Sequence, residues 1–273
     1  MLAETTLRKS KVEKNTIDNM LEQEQFSQFR NAYLNSVSNS ERRLILNAEN
    51  IWGKYCFTPL AVPRIYDEKI YDWFMTNKRP VTKIRPDIAG NTHGESNFES
   101  IDLFDTNLDN AVWTTNPYPN FTTEFKDFYN QLMDLLPFKK ITACSFWSST
   151  QLISPHRDQT VFLDLPLSFR VMLYDNNPQE TLWVKECLPG EFSFDQPEDK
   201  FVLPRLADTN SFAWNNLRVI HGSDRVPEYF KILLIVNFVD IDWFKYYKLL
   251  ERSVDLYQDH ALISSYSKEN FLS

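Results

Sequence analysis

Hydrophobic residues recur at helical spacing in several parts of the first half of the chain. Residues 1 to about 20 are polar and charged, so we expect a frayed start. From about 20 to 50 the pattern predicts one or two amphipathic helices, because apolar side chains stand among Glu, Gln, Asn and Arg at helical intervals. These apolar positions are Leu21, Phe26, Phe29, Tyr33 and Leu34.

Three further helices are predicted by the same spacing. The first runs over Tyr66–Met75. The second runs over Thr122–Leu136, with Thr122 and Thr123 as candidate N-caps. The third follows Ile241 and carries Trp243, Phe244, Tyr247, Leu250 and Val254. Between the first two, residues 79–120 are rich in Pro, Asn, Thr and Asp, and we expect an irregular loop of the kind that often covers an active site.

After Pro137 the pattern changes to short β-prone runs separated by turn residues such as Pro189-Gly190. Many short strands spaced by turns predict a sandwich or barrel. The predicted strands are Ile141–Trp147, Thr160–Leu163, Ser168–Tyr174, Thr181–Lys185, Glu191–Phe194, Lys200–Leu203, Ser211–Trp214, Leu217–His221 and Lys231–Val239. The chain is therefore expected to be α+β. We expect a helical and loop-rich portion at 1–136, a β core at 137–240 and a helical extension at 241–273, all within one compact domain.

The composition fits a globular protein with a sizeable core. The chain has 273 residues, of which 42% are hydrophobic and 15% aromatic. Only five glycines are present, and neither a G-x-G-x-x-G run nor a Walker-type lysine loop occurs. Glycine-rich phosphate loops are therefore not expected.

Charge and cysteine content narrow the partners and the compartment. The net charge is −8, which disfavours a nucleic-acid partner because such contacts need clustered Lys and Arg. Cys56, Cys144 and Cys187 are far apart and form no disulfide framework, so a reducing cytoplasm is expected. The N-terminus lacks the apolar core of a signal peptide, and the apolar run Ile232–Val236 is too short to span a membrane.

Two histidines and one aspartate form the pattern with the clearest chemical meaning. His156 and Asp158 are separated by one residue, so in a strand they face the same way with Cα atoms about 7 Å apart. His221 ends a later predicted strand, and a rolled sheet can bring such strand ends together. Two imidazoles and one carboxylate can occupy one face of an octahedral iron(II) ion and leave the other face open for a co-substrate and oxygen. The sequence therefore predicts an iron site formed by His156, Asp158 and His221.

Three basic residues are candidates for binding an anionic co-substrate. Lys231 comes ten residues after His221 and begins an apolar run. An inward-pointing cation there needs an anionic partner, which the distal carboxylate of a metal-chelating dicarboxylate would supply. Arg225 lies closer to His221, and Arg170 stands in another apolar run with a fork that suits a carboxylate. The residues alone leave the choice among the three open.

Taken together, these features resemble the iron(II)- and 2-oxoglutarate-dependent dioxygenases. Residues 155–238 look most similar to the aspartyl/asparaginyl β-hydroxylase-like branch, over about 85 residues that exclude the N-terminal half. The resemblance lies in Phe169-Arg170-Val171-Met172-Leu173, the turn Asn176-Asn177-Pro178, Trp183 and Phe212-Ala213-Trp214-Asn215-Asn216. It implies a double-stranded β-helix (a jelly-roll or cupin-like core) that uses iron(II), 2-oxoglutarate and oxygen and usually hydroxylates an unactivated carbon.

Two positions bear on how far the resemblance extends. Lys231 stands where that branch commonly has arginine, although lysine serves the same role in other branches. Asp158 is present, whereas some members of the branch lack the carboxylate ligand. A halogenating relative needs a small residue at that position, so Asp158 favours hydroxylation or a related oxidation.

The substrate is expected to be an amino acid or another small metabolite. His93 in the loop-rich segment, Trp147 and Trp214 are the candidates for contacting it. One rival is an enzyme of the same fold that hydroxylates a protein or peptide. Another is a non-catalytic cupin-like binding module, against which the full ligand set argues, and the acidic charge disfavours nucleic-acid demethylation. The sequence does not specify an oligomeric state.

Overall fold

The computed structural model describes residues 27–28, 30–77, 79–80, 99–102, 121–148, 153–157, 167–176, 182–188, 197–224 and 231–266. For some of these, Trp147 among them, only the backbone is described. None of the helices in these ranges is long and apolar enough to cross a bilayer.

In the described part of the chain, twelve strands form two antiparallel sheets. The larger sheet has the order β12-β1-β9-β6-β11-β4-β3-β2, and the smaller one has the order β5-β10-β7-β8. The strands are β1 Tyr55–Pro59, β2 Arg79–Pro80, β3 Glu99–Asp102, β4 Phe138–Ser148, β5 Ile153–His156, β6 Leu167–Asp175, β7 Leu182–Glu186, β8 Phe201–Val202, β9 Ser211–Asn215, β10 Val219–Ser223, β11 Lys231–Ile241 and β12 Leu262–Ile263.

The helices cover one face of the larger sheet. They are α1 at 30–36, α2 Asn39–Lys54, α3 Glu68–Asn77, α4 Phe121–Glu124, α5 Lys126–Leu135 and α6 Trp243–Tyr257, with a short 3₁₀ turn at Gln258–His260. Side chains cap two of them. Ser38 accepts a hydrogen bond from the Glu41 amide at the start of α2, and Asp242 does the same for the Lys245 amide at α6.

Alternation along the strands of the larger sheet sends side chains into two separate cores. On β11, Ile232 and Leu234 join the cluster that packs against the helices, whereas Leu233 joins the cluster between the two sheets. On β9, Ala213 faces the helices and Trp214 faces the smaller sheet. The cluster under the helices draws residues from α1, the β strands and α6, so all three regions of the chain share one core.

The predicted strands agree well with the structure where the two can be compared. Thr160–Leu163 and Glu191–Phe194 lie outside the described residues. Each of the other seven overlaps an observed strand, namely β4, β6, β7, β8, β9, β10 or β11. The prediction missed β1, whose five residues are all buried and show no alternation. It also missed the short strands β5 and β12, and β12 lies within the stretch predicted to be helical.

The helix predicted over Thr122–Leu136 is wrong as a single element. It is broken into α4 and α5 at Phe125, and Phe125 is the N-cap of α5 without any side-chain cap bond, so the threonines do not cap it. Phe125 is only 5% exposed and meets the ring of Trp73 edge-on at 5.1 Å. Packing against α3 therefore overrides the continuous helical pattern.

The structure describes only residues 79–80 and 99–102 of the loop predicted over residues 79–120. Within it, β2 and β3 form short strands that pair with each other and extend the larger sheet beyond β4. The irregular structure predicted for this stretch is therefore wrong at those two places, and its remaining residues lie outside the described part of the chain.

Candidate metal centre

The smaller sheet places two histidines directly opposite each other. His156 is the last residue of β5 and pairs in register with His221 of β10. Side chains of directly opposed residues in antiparallel strands project from the same face. Accordingly, the two imidazole rings lie with centroids 4.1 Å apart and planes tilted by 53°.

The geometry of this pair fits two ligands of one metal ion. A metal–nitrogen bond is about 2.1 Å long, so imidazoles on adjacent octahedral positions have centroids about 4.5 Å apart. The observed separation of 4.1 Å is close to that value. His221 is 7% exposed and His156 is half-buried. One candidate ligand therefore lies in the interior and the other lies nearer the surface. Imidazole nitrogen suits iron as well as zinc, copper and nickel.

The third predicted ligand, Asp158, lies outside the described residues, as do the candidate residues Arg225 and His93. Among the residues that the structure does describe, no group of three His, Cys, Asp or Glu side chains is arranged to hold a metal ion. Trp147 lies in β4 opposite Leu233, and nothing further is described of its side chain. The structure thus brings together two of the three predicted ligands.

Trp214 supports the histidine pair from within the core. Its ring is fully buried and lies 4.7 Å from the ring of His221. The indole Nε1 donates to Asn216 Oδ1 at 2.8 Å, which fixes the ring orientation. The Arg170 guanidinium lies 5.0 Å from the same ring, within cation–π distance. The Arg170 guanidinium, the Trp214 ring and the His221 ring therefore lie in a row between the larger sheet and the candidate centre.

Lys231 is a buried cation at the start of β11. It is 3% exposed, and strand alternation puts it on the same face as Leu233, towards the smaller sheet. Burial lowers the pKa of the Lys231 ammonium to about 8, and the attraction of Asp175 and Asp224 partly opposes this. At neutral pH the side chain is therefore still charged, at a cost in folding free energy.

Lys231→Met is expected to stabilise the protein at pH 7. The lysine pKa is about 8 when folded and near 10.5 otherwise, so the unfolded chain binds more protons between these values and wild-type stability rises with pH there. Below pH 8 the full penalty applies, about 3 kcal/mol. Urea unfolding at pH 7 to 10 should show the variant more stable by roughly 1–3 kcal/mol at pH 7, with the difference shrinking towards pH 10. If the difference in unfolding free energy between the variant and wild type stays constant from pH 7 to 10, or grows towards pH 10, the lowered pKa of Lys231 is contradicted.

A buried ion pair that the sequence pattern did not predict anchors the start of β10. Arg218, 3% exposed, lies 3.3 Å from Glu186 of β7 and donates to the carbonyls of Trp52 and Gly53, each at 2.9 Å. The Glu186 carboxylate also accepts from Cys56 Sγ at 3.1 Å. Burial and this carboxylate raise the pKa of the Cys56 thiol, which stays protonated. Such a pair joins residues distant in sequence and has no local pattern.

The C-terminal segment, residues 264–266, contacts the same ion pair. The Ser265 amide donates to Glu186 at 2.6 Å, and Arg218 donates to the Tyr266 carbonyl at 3.2 Å. Ser264 bridges the two charged groups through its hydroxyl. The pair therefore connects α2, both sheets and the C-terminal segment, and it holds the strand that carries His221.

No protein-family model and no curated protein matches this chain. Among solved structures, it is similar to an oxidoreductase of the 2OG-Fe(II) oxygenase family from Burkholderia pseudomallei, at 11% identity over 61% of this chain and 75% of that one, with a TM-score of 0.36. A Pseudomonas putida prolyl-4-hydroxylase is 10% identical over 72% of this chain and 99% of that one, with a TM-score of 0.36. The non-heme alpha ketoglutarate dependent carbocyclase SnoK is 12% identical over 74% of this chain and 84% of that one, with a TM-score of 0.33.

These structural neighbours are members of the 2OG-Fe(II) oxygenase family and related enzymes. At 10–12% identity and TM-scores of 0.33–0.36, these neighbours are remote.

Proposed function

We propose that this chain is an iron(II)- and 2-oxoglutarate-dependent oxygenase that hydroxylates an unactivated carbon of an amino acid or another small metabolite. The observation that carries the proposal is the register pairing of His156 and His221, with ring centroids 4.1 Å apart. The two histidines are 65 residues apart in the sequence, and they lie side by side on adjacent strands. Asp158, two positions after His156, is proposed as the third ligand.

The order of strands supports a double-stranded β-helix core. From β4 to β11 the chain passes back and forth between the sheets, with β4, β6, β9 and β11 in the larger one and β5, β7, β8 and β10 in the smaller one. The consecutive strands β7 and β8, which lie in the same sheet, are the exception among the described strands. Their spatial orders are β9-β6-β11-β4 and β5-β10-β7-β8. A jelly roll is a double-sheet arrangement of eight antiparallel strands of this kind. Among the described strands, the two candidate histidines lie on neighbours in the smaller sheet, His156 on the end strand β5 and His221 on β10.

The protein contributes position and a dry environment to the proposed reaction. His221 is fixed by β10 on one side and by the ring of Trp214 on the other, and His156 completes the pair at the end of β5. When bound, iron(II) supplies oxygen activation coupled to conversion of 2-oxoglutarate to succinate and carbon dioxide. The apolar residues between the sheets, Trp214 and Leu233 among them, exclude water from the interior side of the site.

Lys231 is proposed to bind the distal carboxylate of 2-oxoglutarate. Arg170 is opposite Ile235 and Lys231 is opposite Asp175, so the two cations start about 14 Å apart along the sheet. The Arg170 guanidinium lies over Trp214, whose Cα pairs with Ser168 on the side away from Asp175. Arg170 is therefore assigned to the support of Trp214 and His221, and Arg225 stays a competing candidate for the carboxylate.

Contacts with the substrate stay predictions for His93 and Trp147. Trp214 has no exposed surface, which favours its supporting role over direct substrate contact. A peptide substrate and a non-catalytic cupin-like module are the alternatives that the experiment must separate.

Reconstitution tests the proposal directly. The purified chain is loaded with iron(II) and 2-oxoglutarate without oxygen, then exposed to air with free amino acids, small metabolites or peptides, and succinate is measured. We expect stimulated succinate release with one small-molecule class. Release only with peptides would overturn the substrate assignment. A chain that binds neither iron nor 2-oxoglutarate would overturn the enzyme assignment in favour of a binding module.

A further inference from the structure

The strand that ends in His156 carries one more residue than the strand beside it. Near the start of β5, Ile153 pairs with Ser223 of β10. At its end, His156 pairs with His221. An advance of three residues along β5 therefore matches an advance of two along β10. Such a mismatch in an antiparallel ladder is a β-bulge, and here it lies immediately before a candidate metal ligand.

The extra residue decides which face of the smaller sheet His156 reaches. Successive residues of β10 face opposite sides, so Val219 joins the cluster between the sheets and Ile220 joins a separate cluster. His221 is on the same side as Val219. In a ladder that started from the Ile153 pair but had no bulge, residue 156 would be opposite Ile220. The imidazole would then project from the other face of the sheet, because a slip of one residue reverses every side chain.

Pro155 stands at this bulge, directly before His156. It is buried and lies between the two ladder pairs. Its ring holds φ at about −65°, whereas an antiparallel strand needs about −140°, and proline has no amide hydrogen to donate to a ladder. Within sheets, proline is accordingly confined to edge strands, first positions and bulges. Pro155 therefore opposes the regular ladder that would turn His156 away from His221.

We infer that Pro155 is a positioning residue that fixes the bulge and so directs the His156 imidazole towards His221 and the iron. The inference rests on the proposed function. Valine at position 155 favours a regular strand, in which residue 156 projects from the other face. If half to nine-tenths of the Pro155→Val chains adopt that register, iron(II) binding weakens about two- to tenfold, because apparent affinity falls with the competent fraction.

Disulfide crosslinking reads the register without any metal. Directly opposed residues of antiparallel strands have Cα atoms about 5 Å apart, within the range of a disulfide. A chain with His156→Cys and His221→Cys should therefore crosslink in the bulged register, and one with His156→Cys and Ile220→Cys in the regular register. With Pro155 present we expect only the 156–221 crosslink, whereas Pro155→Val should produce the 156–220 crosslink at its expense. Peptide mapping after mild oxidation separates these crosslinks from any that involve the three native cysteines.

Anaerobic iron(II) titration of the chains that keep both histidines gives the second measurement. Deleting Ser154 in the Pro155→Val chain leaves two residues against two, so a regular ladder brings His156 opposite His221 again. This double change should restore the 156–221 crosslink and return iron(II) affinity to within about twofold of wild type. Pro63→Val is the matched control, since Pro63 is exposed and lies outside the strands, and it should change neither measurement. Melting temperatures check that each variant is folded.

Three results would overturn the inference while leaving the proposed function intact. They are a 156–220 crosslink that already dominates with Pro155 present, a folded Pro155→Val chain that keeps the wild-type crosslink and iron(II) affinity, and a loss that deletion of Ser154 does not repair. If the crosslinks switch as expected but wild type binds no iron(II), the proposed function fails and the control of the register by Pro155 is retained.

Discussion

Replacing His221 by alanine is expected to weaken iron(II) binding by more than about 100-fold. Loss of a partner that only orients a metal ligand already costs about 10- to 100-fold, and His221 is proposed as a ligand itself. The same loss is expected for His156→Ala, because the two rings form one site. Competition titration with a chelator of known affinity measures the effect, and succinate release should fall to background in both variants.

The chain offers a matched control for these substitutions. His260 is exposed on the 3₁₀ turn after α6, so His260→Ala should bind iron(II) as wild type does. His221 is buried, so its loss could disturb packing, whereas His156 is half-buried and its replacement tests the site with less effect on the core. Wild-type affinity in a folded His156→Ala variant would contradict the assignment.

Arg218→Met is expected to lower the free energy of unfolding by about 3–5 kcal/mol. The substitution leaves the Glu186 carboxylate buried without its cation, and removing one partner of such a pair costs this much. It also removes the hydrogen bonds to Trp52, Gly53 and Tyr266, so the C-terminal segment should be released. Urea unfolding at pH 7 measures the loss.

A double substitution separates the buried charge from the packing. Arg218→Met combined with Glu186→Met removes both charges and should recover a large part of the loss, because no unpaired charge remains. Lys248→Met breaks an exposed pair with Glu251 of 2.7 Å and should cost less than about 1 kcal/mol. An Arg218→Met variant as stable as the Lys248→Met control would show that the buried pair does not anchor β10.

Much of the β core could be predicted from the sequence because its strands are short and bounded by turn residues. β1 was not predicted because all five of its residues are buried, so it lacks the alternation that marks a half-exposed strand. The C-terminal helix was predicted, but Phe244, expected on its apolar face, is 62% exposed, whereas Tyr246 and Leu249 are buried. Apolar character alone does not reveal which face of a helix meets the sheet.

The candidate metal centre could be predicted only in part from the sequence, for a related reason. The local sequence pattern predicted the candidate ligands: His156 and Asp158 from their spacing, and His221 from its place at the end of a strand. The register that sets His156 opposite His221 depends on which strands become neighbours, and a single sequence does not state that. The Arg218–Glu186 pair was missed because it, too, joins residues that are distant in the sequence.

The measurement closest to the central claim is an X-ray absorption spectrum of the anaerobic, iron(II)-loaded chain, since scattering from imidazole rings counts histidine ligands. The shared-site assignment predicts two imidazoles on the iron in wild type, two in His260→Ala, and one in either His156→Ala or His221→Ala when iron is supplied in excess. A wild-type spectrum with no imidazole ligand, or one that keeps both imidazoles in the His156→Ala variant, would contradict it.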